Sequence, residues 1–431
     1  MKRFITPRLI AILITNALVN VGMAQDALIQ TDDATYRILN DSCVALSSWK
    51  QTFEGNGNSH HITLPDAITY NGKEYTITEM GNGFSGIFYS YPAHEIETIT
   101  LPKKLSSIGY KTFMDCTGLT TISLPYSLRT IDKLAFVGSG LKEIQLPVGL
   151  RNLCLNAFNG TEIRELNIPR TVDQLYIDDS LPWYLKFLDM DMLETIMIDP
   201  ANEYYDVRNK DNAIYNSKNN ELIYGGNATY IHPSCTRILR GAFANSKIMS
   251  IEIPDQVTDI MDYAFVQSQL EEVIFHNGLK GIYPCAFALC RLTSVTIPES
   301  VLFIENSAFD NNPLKTVYCE GANPAATYAY TEFPNYTYYA ESNTKFPFDK
   351  NTTENAILYA PKGYGFKYLI DRYWCRFKHI EEYDFTAGFD DTVTDLEENG
   401  KAPIYDLSGR KVSDSPQKGI YIKNGKKYFV R

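Results

Sequence analysis

Apolar and polar positions recur along most of this chain with a step of 22 or 23 residues. One column is phenylalanine: Phe113, Phe136, Phe158, Phe243, Phe265, Phe287 and Phe309. A second is proline: Pro102, Pro125, Pro147, Pro169, Pro254 and Pro298. Between them runs L-x-x-I-x-L-P, which ends in strict alternation, as in Ile122/Leu124 and Val295/Ile297. Alternation predicts a short strand with one face inward. Proline then ends the strand, because it has no N–H for the next ladder bond. A second apolar pair, such as Leu128/Ile131 or Val257/Ile260, turns the chain back. The small Ala before the Phe lets the ring lie against the backbone. One such unit cannot bury its own apolar residues, whereas stacked units share a continuous core. The pattern therefore predicts a repeat solenoid of about nine or ten coils, with short parallel strands about 4.8 Å apart.

The period breaks between Tyr176 and Pro233. One coil is traceable at LETIMIDP (193–200), and NAIYNSKNNELIYGG reads as a β-hairpin. The array resumes at IHPSCTRILRGAF.

The pattern F-x-x-C/S-x-L-x-x-I-x-L/I-P-x-x-V-x-x-I resembles the BspA-like leucine-rich repeats of Bacteroidetes surface proteins, over about residues 60–380. HITLPDAITYNGKEYTITEMGNGF is similar to that family's first coil. AILYAPKGYGFKYLIDRYWCRFKHIEEY is similar to its closing segment, through Leu358, Pro361, Tyr368, Trp374, Phe377 and Ile380. The resemblance implies a surface-exposed or secreted protein. It also implies adhesion to a host matrix protein, another bacterial surface protein or a glycan.

The ends extend this reading. MKRFITPRLIAILITNALVNVGMAQDA places basic residues before a short apolar run, then Gly22 and Ala24 before Gln25. That is a secretory signal peptide over 1–24. Residues 25–59 are read as an N-terminal cap region and 60–321 as the solenoid, with its hairpin insert near 204–230. Residues 322–383 are read as a C-terminal cap with a Tyr-rich loop, 384–402 as an acidic linker, and 403–431 as a β tail. The tail is expected to form strands around Tyr405/Leu407, Ile420/Ile422 and Tyr428/Val430, with Asn424-Gly425 as a hairpin turn. It resembles the sorting domain presented to the type IX secretion system, through Tyr405, Asp406, Leu407, Gly409, Arg410, Gly419, Ile420 and Tyr421. At about 30 residues it is shorter than that domain, so a small β-appendage without a sorting role is the alternative.

Composition narrows the function classes. The formal charge is −11, and loss of residues 1–24 with Lys2, Arg3 and Arg8 leaves −14. An acidic chain without a basic cluster excludes nucleic acid as the expected partner. No segment of the mature chain is expected to cross a membrane, and a monomer is expected. The location expected is the outer surface or outside the cell, with the periplasm as alternative.

Chemistry is sparse. There is no H-E-x-x-H, G-x-S-x-G or phosphate-cradling glycine loop, so neither an enzyme nor a cofactor or metal is expected. His60-His61 reads as a solvated pair and Cys375/His379 as cap residues. Asp189, Asp191 and Asp310-Asn311-Asn312 read as turn residues rather than calcium ligands. Cys290 stands three after its Phe, in a column shared with Cys116, Ser139, Thr161, Ser246, Ser268 and Asn312. That column calls for a small, weakly polar filler at a coil corner. Cys285 stands two before the Phe, in a variable column expected near the surface. A disulfide stays open in an exported protein.

Binding remains. The outward strand column holds Thr100, Ser123, Gln145, Asn167, Met197, Glu252, Ile274, Thr296 and Tyr318. It reads as a broad, mostly small and polar face without an aromatic cluster. The candidate contacts on it are Gln145, Asn167, Glu252, Thr296 and Tyr318. The Tyr-rich stretch 327–339 adds Tyr328, Tyr330, Tyr336, Tyr338 and Tyr339, since tyrosine gives rigid contact area with a polar tip. The function expected is an adhesion or protein/glycan-binding scaffold. A structural envelope-associated repeat protein without a specific ligand is the alternative.

Overall fold

A computed structural model describes residues 28–49, 61–81, 87, 93–178, 190, 192–208, 212–228, 230–327 and 346–385, with tail strands 404–406, 411–412, 419–423 and 426–430. Residues 1–24 and the tyrosines of 328–339 lie outside the described residues.

The fold is a solenoid, built from coils that each contribute to two ladders. The short-strand ladder starts on three antiparallel strands, Leu28–Gln30, Ala34–Ile38 and Cys43–Trp49. The last of these pairs in parallel with Lys73–Met80, itself half of a hairpin with Ala67–Tyr70. Ser107–Ile108, Thr130–Ile131, Asn152–Cys154 and Gln174–Tyr176 then add in parallel, one per coil. Tyr205–Val207, Ile214–Asn216 and Glu221–Tyr224 interrupt as an antiparallel meander. Parallel pairing resumes through Arg237–Ile238, Asp259–Ile260, Gly281–Ile282 and Phe303–Ile304.

The long-strand ladder uses the L-x-x-I-x-L-P segments. Its longest run is Ser294–Ile297, Thr316–Cys319, Ile357–Pro361 and His379–Tyr383, all parallel. After each proline the chain turns sharply. The Pro125 carbonyl accepts from Leu128 N at 3.0 Å, and Pro254 from Val257 N at 3.0 Å. Two coils depart from the expected strand. Around Ile122/Leu124 and Ile144/Leu146 the inward residues are buried or half-buried, yet no strand forms. These coils are joined at the segment's entrance, where Lys142 N donates to Thr120 O at 3.0 Å. Side-chain burial keeps the period of two there without a continuous backbone ladder.

The Phe corner makes a third line of contact. Phe265 N donates to Ala286 O, and Phe287 N to Ala308 O, both at 2.7 Å. The rings stack coil upon coil: Phe243–Phe265 at 4.8 Å, Phe265–Phe287 at 4.9 Å and Phe287–Phe309 at 5.3 Å. Phe348, from the C-terminal cap, continues the stack on Phe309 at 5.3 Å. The corner is closed by left-handed residues on both sides of the Phe. Two before it stand Lys111, Leu134, Tyr263, Cys285 and Ser307, with φ of 55° to 59°. Two after it stand Asp115, Asn245, Gln267, Leu289 and Asn311, with φ of 57° to 60°.

This corrects the expectation for the Cys285 column. It is not a surface column: Leu134, Tyr263 and Ser307 are buried and Cys285 is half-buried. The left-handed turn rotates these side chains inward against the neighbouring coil, where Tyr263, Ala244, Val266 and Ala288 form a small apolar cluster that Cys285 packs against. The Cys290 column is buried throughout. Cys290 Sγ lies 3.3 Å from Ser268 Oγ and 3.1 Å from Phe265 O, while Asn312 donates to Phe287 O at 2.7 Å. All eight cysteines carry free thiols.

The last coil is closed by aromatic rings. Trp374 is fully buried, with Phe346, Phe348 and Phe377 around it at 5.8 to 6.3 Å. Trp374 Nε1 donates to Ala325 O, and the Tyr368 hydroxyl to Gly321 O, both at 2.8 Å. In the tail, strands form a separate antiparallel sheet in the order Lys411–Val412, Ile404–Asp406, Gly419–Lys423, Lys426–Val430.

Candidate binding face

The outward face of the long-strand ladder is set by alternation. In Ser294–Ile297, Val295 and Ile297 are buried while Ser294 and Thr296 are exposed. Register then aligns outward residues of successive coils. Asn167 stands opposite Met197, Glu252 opposite Ile274, and Thr296 opposite Tyr318. Glu252, Thr296 and Tyr318 thus lie in the half of the solenoid after the hairpin insert, and Gln145 and Asn167 in the half before it. Gln145 is exposed on a stretch without strand pairing. Asn167 Nδ2 donates to Glu165 Oε1 at 2.6 Å on its own strand. Glu252 Oε1 is 2.7 Å from His276 Nε2, and Thr316 Oγ1 bonds Ser294 Oγ at 2.9 Å. Met197 adds apolar surface at 45% exposure.

One feature of this face contradicts the expected lack of an aromatic cluster. The row through Thr296 and Tyr318 continues to Tyr359 and Glu381. The Tyr318 and Tyr359 rings stack at 4.8 Å and 13°. Tyr383 meets them edge-on at 5.5 and 5.7 Å, and Phe385 meets Tyr383 at 4.9 Å. Tyr383 is 42% exposed; Tyr318, Tyr359 and Phe385 are half-buried. Burial first, then the neighbouring Tyr359 and Tyr383, raise the Tyr318 phenol, so its hydroxyl stays a neutral donor and acceptor. Tyr359, Tyr383 and Phe385 escaped sequence reasoning because they lie in the cap, off the repeat period. The signal available was the alternation that sets Tyr359 in the middle of ILYAP, and Tyr383 two residues after Glu381 at the end of HIEEY.

Of the residues considered for other chemistry, His60, Asp189 and Asp191 lie outside the described residues, and the others have structural surroundings. Asn312 holds coil-corner carbonyls, and Asn311 N donates to Asp349 Oδ2 at 2.6 Å. Cys375 and His379 are exposed on the cap. Among the described residues, no group of three or more His, Cys, Asp or Glu is arranged to hold a metal ion. No described helix is long and apolar enough to cross a membrane. The tail residues Tyr405, Asp406, Gly419, Ile420 and Tyr421 lie on strands, and Leu407, Gly409 and Arg410 fall outside the described residues.

Coils of 22 residues, a Phe stack and two parallel ladders define a leucine-rich-repeat protein. The repeats match the family model described as BspA type leucine rich repeat region, in 6 copies over residues 85–180 and 236–353. The unmatched interval contains the antiparallel meander. Among solved structures, the pneumococcal vaccine antigen PcpA is similar at 18% identity, with 83% of this chain and 99% of that chain covered and a TM-score of 0.59. A leucine-rich cell surface protein from Faecalibacterium prausnitzii aligns at 19% identity over 68% of this chain and 89% of its own, with a TM-score of 0.43. A leucine-rich-repeat protein from Bacteroides ovatus aligns at 18% identity over 82% and 76%, also at 0.43. Of these three, PcpA has a TM-score above 0.5, and its likeness concerns the fold. No curated protein matches the chain.

Proposed function

We propose that this protein is an exported, surface-displayed scaffold that binds a protein or glycan through the outward face of its long-strand ladder. The observation that carries this reading is the Tyr318/Tyr359/Tyr383/Phe385 cluster, with rings 4.8 to 5.7 Å apart on an accessible sheet face. Aromatic residues grouped on a rigid surface supply contact area at little entropic cost. PcpA, whose likeness concerns the fold, is described as a pneumococcal vaccine antigen, which is in keeping with exposure outside the cell. The signal peptide over 1–24 and the tail over 403–431 supply the route out. The tyrosines of 327–339 lie outside the described residues and join this reading on their sequence alone.

The experiment is a binding screen of residues 25–431 against matrix proteins, bacterial surface proteins and a glycan array. Saturable binding that Tyr318→Ala and Tyr383→Ala weaken supports the proposal. No binding to any class, together with normal surface display on protease-shaved cells, replaces it with the ligand-free envelope spacer. The small polar column Thr100, Ser123, Gln145 and Asn167 favours that second reading over the first half of the array.

A further inference from the structure

The outward face of the long-strand ladder carries one sign of charge. Alternation gives each segment two outward positions, from Thr98/Thr100 through Ser294/Thr296 to His379/Glu381. Along the array these positions hold Glu143, Glu165, Glu252, Glu272 and Glu381, and no Lys or Arg. Four of the five glutamates are exposed and Glu272 is half-buried. The cations stand one place earlier, at the entrance of the segment: Lys142, Arg164, Lys315 and Lys378. Three of them are turned to a carboxylate of an adjoining coil. Lys142 meets Glu162 at 3.7 Å, Lys378 meets Glu354 at 3.0 Å, and Arg164 pairs with Glu194. Among the described residues, Glu143, Glu165 and Glu381 form no ion pair with Lys or Arg. Glu252 is held by His276 at 2.7 Å. Glu143 and Glu165 stand one period apart in the same column, on coils spaced by about 4.8 Å. Like charges side by side oppose folding, so the isolated chain draws no stability from this arrangement.

We propose that the partner of this face is a protein surface that presents Lys and Arg. The inference rests on the reading of the face as a binding surface and names the chemistry it selects. Two features agree on a cationic partner. The first is the uniform sign of the face, which attracts a basic partner and repels sulfated, sialylated or uronic-acid glycans. The second is the aromatic cluster, whose rings accept a cation over their faces. Register joins the two, because Glu381 stands opposite Tyr359, beside the Tyr318 stack and on the strand of Tyr383. A guanidinium or ammonium seated there meets both a ring and an exposed carboxylate. Glu252 and Glu272 continue the same sign across the preceding coils, and Glu143 and Glu165 carry it into the first half of the array. A neutral glycan would use the rings and leave these charges unanswered.

The test uses residues 25–431 and three labelled probes: a peptide of Lys, Arg, Gly and Ser, its copy with Glu in place of every Lys and Arg, and a neutral glucose oligosaccharide. Fluorescence anisotropy is measured between about 50 mM and about 500 mM salt. The basic peptide should bind and lose affinity at least ten-fold over that range. Glu252→Gln/Glu381→Gln and Tyr318→Ala should each weaken it at least three-fold, at unchanged melting temperature. Glu74→Gln/Glu203→Gln removes the same charge from exposed positions off this face and should leave affinity within two-fold. Equal losses in the two glutamate pairs would overturn the proposal, since attraction would then belong to the whole acidic chain. Tighter binding of the acidic peptide or the oligosaccharide would overturn it as well. If the basic peptide fails while the matrix-protein or glycan screen still gives binding that Tyr318→Ala weakens, this inference falls alone. If the screen gives no binding either, the reading of the face falls with it.

Discussion

Cys285 and Cys290 are five residues apart and occupy different environments, which decides their chemistry. Cys290 fills the corner column against Phe265 O and Ser268, and Cys285 sits on a left-handed turn with φ 55°. Burial pushes both thiols up to about 12, so neither is a thiolate at neutral pH. Cys290→Ser should therefore cost under about 1 kcal/mol, whereas Phe265→Ala, in the ring stack, should cost about 3–5 kcal/mol. Urea denaturation of the two variants checks the contrast. Glu305 makes a second prediction at this scale. It is 4% exposed, and burial, then the charge of Asp262, raise its carboxyl from 4.5 to about 7. Asp262 is itself paired with Arg240 at 3.0 Å. Between pH 4.5 and 7 the unfolded chain has released a proton that the folded chain keeps. Stability falls as pH rises through that window and levels off above it. Asp310, raised to about 6 mainly by burial, adds to the same slope at lower pH. Glu305→Gln should flatten the upper part of this dependence and stabilise the protein at pH 8 by on the order of 1–3 kcal/mol. Melting temperature against pH for both proteins measures it; an unchanged slope rejects it.

The coil is the next scale, and its weakest point is where the array restarts. The first ring of the second Phe stack, Phe243, lies close against Gly225. A Cβ there would stand 2.1 Å from the ring. Gly225 N also donates to Ala242 O at 2.8 Å, tying the meander to the first resumed corner. Glycine is required at this position by close approach rather than by its φ. Gly225→Ala should push Phe243 off its 4.8 Å stacking distance to Phe265 and cost about 1–3 kcal/mol through overpacking. Amide exchange should rise first in the strands Arg237–Ile238 and Glu221–Tyr224, ahead of Phe303–Ile304, because each coil is held by its neighbours. Uniform loosening along the whole array would contradict this view of the junction.

At the scale of the molecule, a leucine-rich-repeat solenoid displays one long face, and the aromatic cluster lies at the C-terminal end of that face. Stacking leaves the Tyr318 and Tyr359 rings rigid before any partner arrives, so little side-chain entropy is lost on contact. Under the proposed function, Tyr318→Ala should weaken binding by at least ten-fold, in keeping with an aromatic anchor. Thr100→Ala, on the same face near the other end, should leave affinity within about two-fold. Equal losses at both positions would argue for a diffuse surface instead.

The sequence alone determined the coil. Two columns in phase, alternation before each proline and the Ala-Phe corner require stacked units, because no single unit can bury its own apolar residues. It also assigned Cys290 to packing, since the same column accepts Ser, Thr and Asn. What it left open was set by neighbours in space. The column two before the Phe looked like surface because its residues vary. Only the left-handed backbone at Leu134, Tyr263 and Cys285 turns those side chains inward. Ile122 and Ile144 keep their alternation without a strand, because burial follows the side-chain period while pairing needs an aligned neighbouring backbone. The binding face followed the same rule. Tyr318, Tyr359 and Tyr383 share no repeat interval, and residues 328–345 separate the first from the others in the chain. Parallel register places Tyr359 beside Tyr318, and Tyr383 one coil further on, so it was the tertiary structure that made three scattered tyrosines a cluster.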